Sequence, residues 1–352
     1  MLKYKPDFVI AQDRWDAFWN KQIIDRPCTC IWVNNDVRYP FIPRLISIGT
    51  TTYDDIFSIS DNYFENNEFL GETMPLFRPG FGPDQVAGFL GAPITISPYS
   101  NDTSWSEKIV EDWESFLPLK IDENAPCWKK MHDFHRAAEK YVDGKCLLSN
   151  IDLHTNIDGL EALRGAQKLL FDIIDQPDIV LQAMMQIRKL YPIIYDAFYG
   201  YGNKKKLGTT VPWHFYSRGK CQWVQADFIC LLTPDMVRKF VLPAIEEEAF
   251  FLDHCCFHLD GPGALAHLDE ILAIEKIHAI GWVPGEGNKP QIEWEDLFHK
   301  IQNAGKTVLL YGEPEQIKAV HGKYKPDLVA YYVSTNSVDE AKQLLDWLEK
   351  NT

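Results

Sequence analysis

The spacing of apolar and polar positions changes character along this chain. Residues 1–30 carry Trp15, Phe18, Trp19 and Ile23 near helical spacing, which predicts an amphipathic helix. That helix should stop before Arg26-Pro27, because a residue preceding proline avoids the helical region. The apolar run 28–33 then predicts a strand. Residues 35–75 show no sustained period and are rich in Asp, Asn, Tyr and Phe, with one short helix expected near 53–56. So long an irregular stretch reads as an insertion over one face rather than a connection.

From residue 145 onward strand-like and helix-like runs alternate. Strands are expected at 145–150, 207–213, 221–228, 255–259, 277–282, 307–311 and 328–333. Helices are expected from about Asp158, at 178–200, from Thr233-Pro234, and at 265–274, 294–303, 315–321 and 339–350. Strand–helix alternation with short connections predicts parallel strands joined by right-handed crossovers. About eight strands favour a closed (β/α)8 TIM barrel over an open sheet. The expected organisation is one α/β domain, 1–352. Residues 1–75 form an N-terminal helical extension and a long loop insertion over the barrel mouth, and 76–352 form the main barrel.

Composition narrows the partners. The 352 residues are 46% hydrophobic, enough to bury a core without disulfide or metal staples. A formal charge of −15 repels phosphate backbones and anionic lipid, so neither nucleic acid nor membrane is an expected partner, whereas a small molecule is. No apolar run is long enough to span a bilayer, and the first twenty residues lack a signal-peptide core. Eight cysteines with no CxxC pair point to reduced thiols and a cytoplasmic location.

In a barrel the active site forms at the C-terminal strand ends. That rule selects Asn34 after the first strand, His154 after 145–150, and Trp213 and Tyr216 around the end of 207–213. It also selects Gln225 and Asp227 near the end of 221–228, then Trp282, Tyr311 and Asn336. The densest segment is DHCCFHLDGPG (253–263). His258 and Asp260 share one strand face by period two, with Cys256 on the same face. Such a pair can hold a divalent metal or move a proton. Two ligands alone bind weakly, so a third is sought in Glu313, Tyr311 or Cys256. The plainer alternatives are a buried His258 and an Asp260 that only caps the next helix. A Gly-rich turn, WVPGEG (282–287), follows another strand.

Three segments carry a resemblance: PGFGPDQVAGFLGAP (79–93), Asp227 with LLTPDMVRKFVLP (231–243), and FHLDGPGALAHLDEILAIEKIHAIGWVPG (257–285). In this order and spacing they resemble the uroporphyrinogen decarboxylase-like superfamily, over about residues 75–345. The resemblance implies a barrel and one of two activities. The decarboxylases bind porphyrinogen carboxylates with paired arginines in an N-terminal loop. Here that region reads RPCTCIWVNND (26–36) and lacks the pair, while Arg38, Arg44 and Arg78 do not match the pattern. The methyltransferases pass a methyl group to a corrinoid protein and hold zinc with a His-x-Cys pair and a late Cys. Here the pair reads His258-Leu259-Asp260, and VSTNS (333–337) occupies the last-strand region. A zinc or other divalent site with oxygen and nitrogen ligands is therefore expected, with no tightly bound organic cofactor.

The expected activity is methyl transfer from a small methylated compound to a corrinoid protein. A porphyrin-type decarboxylase and a non-catalytic binding barrel are the alternatives. The residues expected to act are His258, Asp260 and Asp227. Asn34, His154, Trp213, Tyr216, Gln225, Trp282, Tyr311 and Asn336 are expected to line the substrate, and His258, Asp260 and Glu313 to hold the metal.

Overall fold

The computed structural model describes residues 2–33, 52–96, 104–212 and 214–352. Asn34, Trp213, Arg38 and Arg44 lie outside the described residues. The architecture is mixed α/β. In chain order, the elements that position the site are helix α1 (Phe8–Trp19), β1 (Cys28–Val33), α2 (Tyr53–Glu65), β2 (Phe69–Gly71), β3 (Leu76–Phe77), α3 (Pro126–Val142), β4 (Leu147–Leu148), α4 (Asn156–Arg164), β5 (Thr209–Thr210), β6 (Tyr216–Ser217), β7 (Cys221–Gln225), α5 (Leu242–Phe251), β8 (His254–Asp260), β9 (Ala279–Val283), β10 (Thr307–Gly312) and β11 (Val329–Thr335).

Seven strands form one sheet in the order β2-β1-β11-β10-β9-β8-β7. All its pairings are parallel except β1–β2. β3 and β4 make a separate parallel pair. Side chains and loops tie that pair to both flanks of the large sheet. Asn150 Nδ2 donates to Cys221 O at 3.0 Å, and Gln222 Nε2 donates to Ile151 O at 2.8 Å. On the other side Thr73 Oγ1 donates to Ile31 O at 3.0 Å.

The parallel strands are apolar on both faces because both are covered. Ile31, Val224, Phe257, Leu259, Ile280, Trp282, Leu310 and Tyr331 face a layer of helices and share its core. Cys30, Trp223, Cys256, Ala279, Leu309, Ala330 and Tyr332 face the other way, into a second cluster closed by Trp15, Phe18 and Trp19 of α1. We call this second side the inner face. The chain between β5 and β6 turns into it: Trp223 Nε1 donates to Pro212 O at 2.7 Å, and Tyr332 Oη donates to His214 O at 3.3 Å. A column of rings results, running Trp19–Phe215 (5.7 Å), Phe215–Trp223 (5.1 Å) and Trp223–His258 (5.8 Å). The helix at the N-terminal strand ends is thus packed through to a histidine near the C-terminal ends.

Two expectations need correction. The described part of the expected mouth insertion, 52–75, does not lie over the strand C-terminal ends. α2 is set by a capping box in which Thr52 and Asp55 bond each other's backbone. It buries Ile56, Ser60, Tyr63 and Phe64 and runs down the flank beside α3, with Tyr53 stacked on Phe134. Its far end meets Tyr4, and β2 continues antiparallel to β1 toward Cys30. The expected strand 207–213 is only Thr209–Thr210, because the chain then turns inward through Val211-Pro212.

Candidate functional site

Two strand ends and one loop converge. β7 ends at Gln225, whose register partner on β8 is His258. Asp260 lies two residues on, at the end of β8, and on the same face as His258 by period two. Its side chain makes no capping hydrogen bond to the following helix, so the capping alternative does not describe it. Asp227 opens the single turn after β7. One ligand atom from each of Asp227, His258 and Asp260 lies within 4.8 Å of the others.

The loop after β4 supplies Asp152 and His154, and the first turn of α4 supplies Asp158. His154 Nε2 lies 3.2 Å from Asp152 Oδ2, and its Nδ1 lies 3.5 Å from Asp158 Oδ2. Asp152 Oδ1 accepts from Gln225 Nε2 at 2.7 Å. Asp158 in turn accepts the backbone N–H groups of Asp227 and Phe228 at 2.9 and 3.0 Å. His154, Asp158 and Asp227 make a second group with ligand atoms within 4.8 Å of one another, so Asp227 belongs to both.

Behind this layer Asn156 adopts a left-handed φ of 51°, a conformation asparagine tolerates better than most residues. Its Nδ2 donates to Gln225 O at 3.0 Å and to Glu248 Oε1 at 3.1 Å. Thr155 Oγ1 also donates to Glu248 Oε1, at 2.6 Å. Glu248 of α5 thus fixes the loop that carries His154.

The electrostatics follow from burial and mutual pairing. Burial disfavours charge on His154, but Asp152 and Asp158 outweigh it and hold the imidazole protonated well above its ordinary value. Burial likewise acts to raise the Asp152 carboxyl, yet His154 and Gln225 keep it below the usual range. Asp227 is pushed up to about 7, by burial first and then by the Asp158 charge. Burial pushes His258 below its ordinary value despite Asp260. Among the described residues no Lys or Arg pairs with Asp152, Asp158, Asp227 or Asp260. Asp227 Oδ1 and Gln225 Oε1 are buried without a hydrogen-bond partner among these residues. An open cleft of about 310 Å³ reaches the cluster, lined by His154, Asp158, Asp227, Phe228, Leu231, Glu161 and Asp84, among others. Lys108 stands at its rim, 3.5 Å from Glu161.

The structure brings Asp227, His258, Asp260, His154 and Gln225 together and places the other expected residues elsewhere. Trp282 is on the outer face, 1% exposed and edge-on to Trp294 at 4.9 Å. The register explains this: His258 pairs with Gly281, so glycine takes the inner position on β9. Tyr216 is buried against α1, and its Oη donates to Leu207 O at 2.6 Å. Tyr311 lies on the inner face beside Tyr332, ring centroids 5.0 Å apart. Asn336 is exposed in the turn where its N–H donates to Glu340.

Glu313 is in neither ligand group; its carboxylate accepts a backbone N–H in the capping box of helix Pro314–His321. Cys256 is fully buried among Cys30, Trp223 and Tyr332, below His258. Cys230 is exposed at the rim, where its Sγ donates to Asp260 O at 3.2 Å, and it joins neither group. A thiolate-bound zinc therefore does not fit these residues, whereas a cation with oxygen and nitrogen ligands does. Asp158 is the residue that sequence reasoning missed as a site group. Its signal is Asp152-x-His154-x-x-x-Asp158, an acid–imidazole–acid run crossing from a strand end into a helix start.

No family model matches the chain, and neither does any curated protein. Among solved structures it is similar to a methyltransferase from Methanosarcina mazei, with a TM-score of 0.62 over 97% of this chain and 98% of that one. The sequence identity is 12%, so the likeness is one of fold.

Proposed function

We propose that this chain is a single-domain (β/α)8-barrel enzyme that moves a methyl group from a small methylated compound to a corrinoid protein, with Asp227, His258 and Asp260 holding a divalent metal. The observation that carries the reading is the convergence of these three side chains within 4.8 Å at adjoining strand ends. The barrel rests on eight parallel strands, β1, β3, β4 and β7 to β11, and on the cross-bonds at Asn150, Gln222 and Thr73. Methyl transfer draws support from the name of the similar structure. Eight free thiols and no helix among the described residues long and apolar enough to cross a membrane fit a cytoplasmic enzyme.

Bound at this triad, a divalent ion would act as a Lewis acid on the oxygen or nitrogen that gives up its methyl group. The chain's own residues do the rest. Phe228 and Leu231 give the cleft an apolar wall for the body of a small substrate. His154, held between the Asp152 and Asp158 carboxylates, lines the cleft beside the triad. Trp223 holds the His258 ring from below. The decarboxylase alternative gains no such support, because a cluster of carboxylates without Lys or Arg partners among the described residues repels a poly-carboxylate porphyrinogen.

The test offers the metal-loaded protein cob(I)alamin with a panel of O-methyl and N-methyl compounds and follows methylcobalamin by absorbance. A parallel reaction offers uroporphyrinogen. Methylation with at least one compound, lost in His258→Ala, is expected. Decarboxylation of uroporphyrinogen without methyl transfer would replace this reading.

A further inference from the structure

The two ligand groups share Asp227, and the second has the internal order of a ligand site. His154 Nε2 faces Asp152, 3.2 Å away, and Asp152 is itself held by Gln225. A metal-bound histidine commonly has its other ring nitrogen fixed by a carboxylate in this way. The remaining nitrogen, Nδ1, stands 3.5 Å from Asp158 Oδ2. That is long for an N–H···O bond, whose usual limit is about 3.2 Å. It matches two ligands on one tetrahedral ion, which bonds of about 2.1 Å place roughly 3.4 Å apart.

Asp158 is fixed by two backbone N–H groups, one of them from Asp227. The oxygen Asp227 Oδ1 is buried without a partner among the described residues. So is Oε1 of Gln225, a side chain only 1% exposed whose amide already bonds within the cluster.

We propose that the site takes two divalent cations, the second held by His154, Asp158 and Asp227, with Asp227 shared between them. This rests on the reading of Asp227, His258 and Asp260 as the first cation's ligands. Asp152 is a positioning residue that orients His154. One divalent charge leaves the four carboxylates under-compensated, whereas two balance them. The paired arrangement selects methyl donors that present two neighbouring oxygens, such as a phenolate with an adjacent methoxy group, whose methyl is the one transferred.

Equilibrium dialysis of the full-length, chelator-stripped protein against Mn²⁺ reads this directly, since Mn²⁺ prefers oxygen and imidazole over buried thiols. The parent should bind two ions per chain, His154→Ala one and His258→Ala one. His154→Gln serves if the alanine variant does not fold, judged by its circular dichroism. In the parent, electron paramagnetic resonance should show an exchange-coupled pair in place of the six-line signal of an isolated ion. One ion in the parent, lost only in His258→Ala, overturns the second cation and leaves the first. Two ions retained in both His154 variants overturn the ligand assignment. No binding at all overturns both readings.

Discussion

Asp158 holds Asp227 by its backbone: the Asp158 carboxylate accepts the N–H of Asp227 at 2.9 Å and that of Phe228 at 3.0 Å. One side chain from the start of α4 therefore fixes the turn after β7, and Asp227 sits at the meeting point of both ligand groups because of it. The same carboxylate faces His154. One residue thus links the backbone order of the turn after β7 to the charge around His154.

Replacing Asp158 should cost stability as well as function. Asp158→Ala removes two charge-assisted bonds, one buried and one part-buried, worth about 2–4 kcal/mol together. Asp158→Asn keeps one acceptor and should lose about half of that. Urea unfolding with an unchanged m-value measures both. A loss below about 0.5 kcal/mol in the alanine variant would mean that the turn holds itself.

Glu248 predicts a pH dependence. Burial pushes its carboxyl from 4.5 up to about 8 in the folded chain, against the bonds from Thr155 and Asn156. The folded state then keeps a proton that the unfolded state has lost. Its stabilising contribution is full below about pH 4.5, falls as pH rises toward 8, and is gone above that. Glu248→Gln keeps the neutral shape and an acceptor for Thr155, so unfolding free energies measured from pH 5 to 8.5 should fall less steeply in the variant. Parallel slopes would place Glu248 in its ionised form.

Gly281 leaves room for Trp223. A Cβ there would meet the indole at 2.6 Å. Gly281→Ala should destabilise the protein by about 1–3 kcal/mol through overpacking. The double variant with Trp223→Phe should recover part of the loss, because the smaller ring vacates that space. Additive effects of the two changes in thermal unfolding would show that the contact is relieved elsewhere.

The parallel strands were legible because burial on both faces writes an apolar run into the sequence. Observed β8, His254–Asp260, and β1, Cys28–Val33, match the expected 255–259 and 28–33 closely. Direction within a strand was legible too, since His258 and Asp260 share a face by period two. Register between strands was not. Nothing local says that His258 lies opposite Gly281, and so Trp282 was expected in the mouth and is in the helix layer. Asp158 was hidden for a related reason. It reads as an acid in a helix's first turn, and only the tertiary fold brings it to the turn after β7. Tyr216 was misplaced because the inward turn at Pro212 is fixed by Trp223, eleven residues away.

The most direct test of the metal centre is the metal content of the protein purified without chelator, measured by elemental analysis beside the His258→Ala/Asp260→Ala double variant. At least one divalent ion per chain is expected in the parent and fewer in the variant, with added zinc raising the parent's melting temperature. A parent without stoichiometric metal, whose melting temperature zinc does not raise, would contradict the centre and leave Asp227, His258 and Asp260 as a proton-transfer or substrate-orienting cluster.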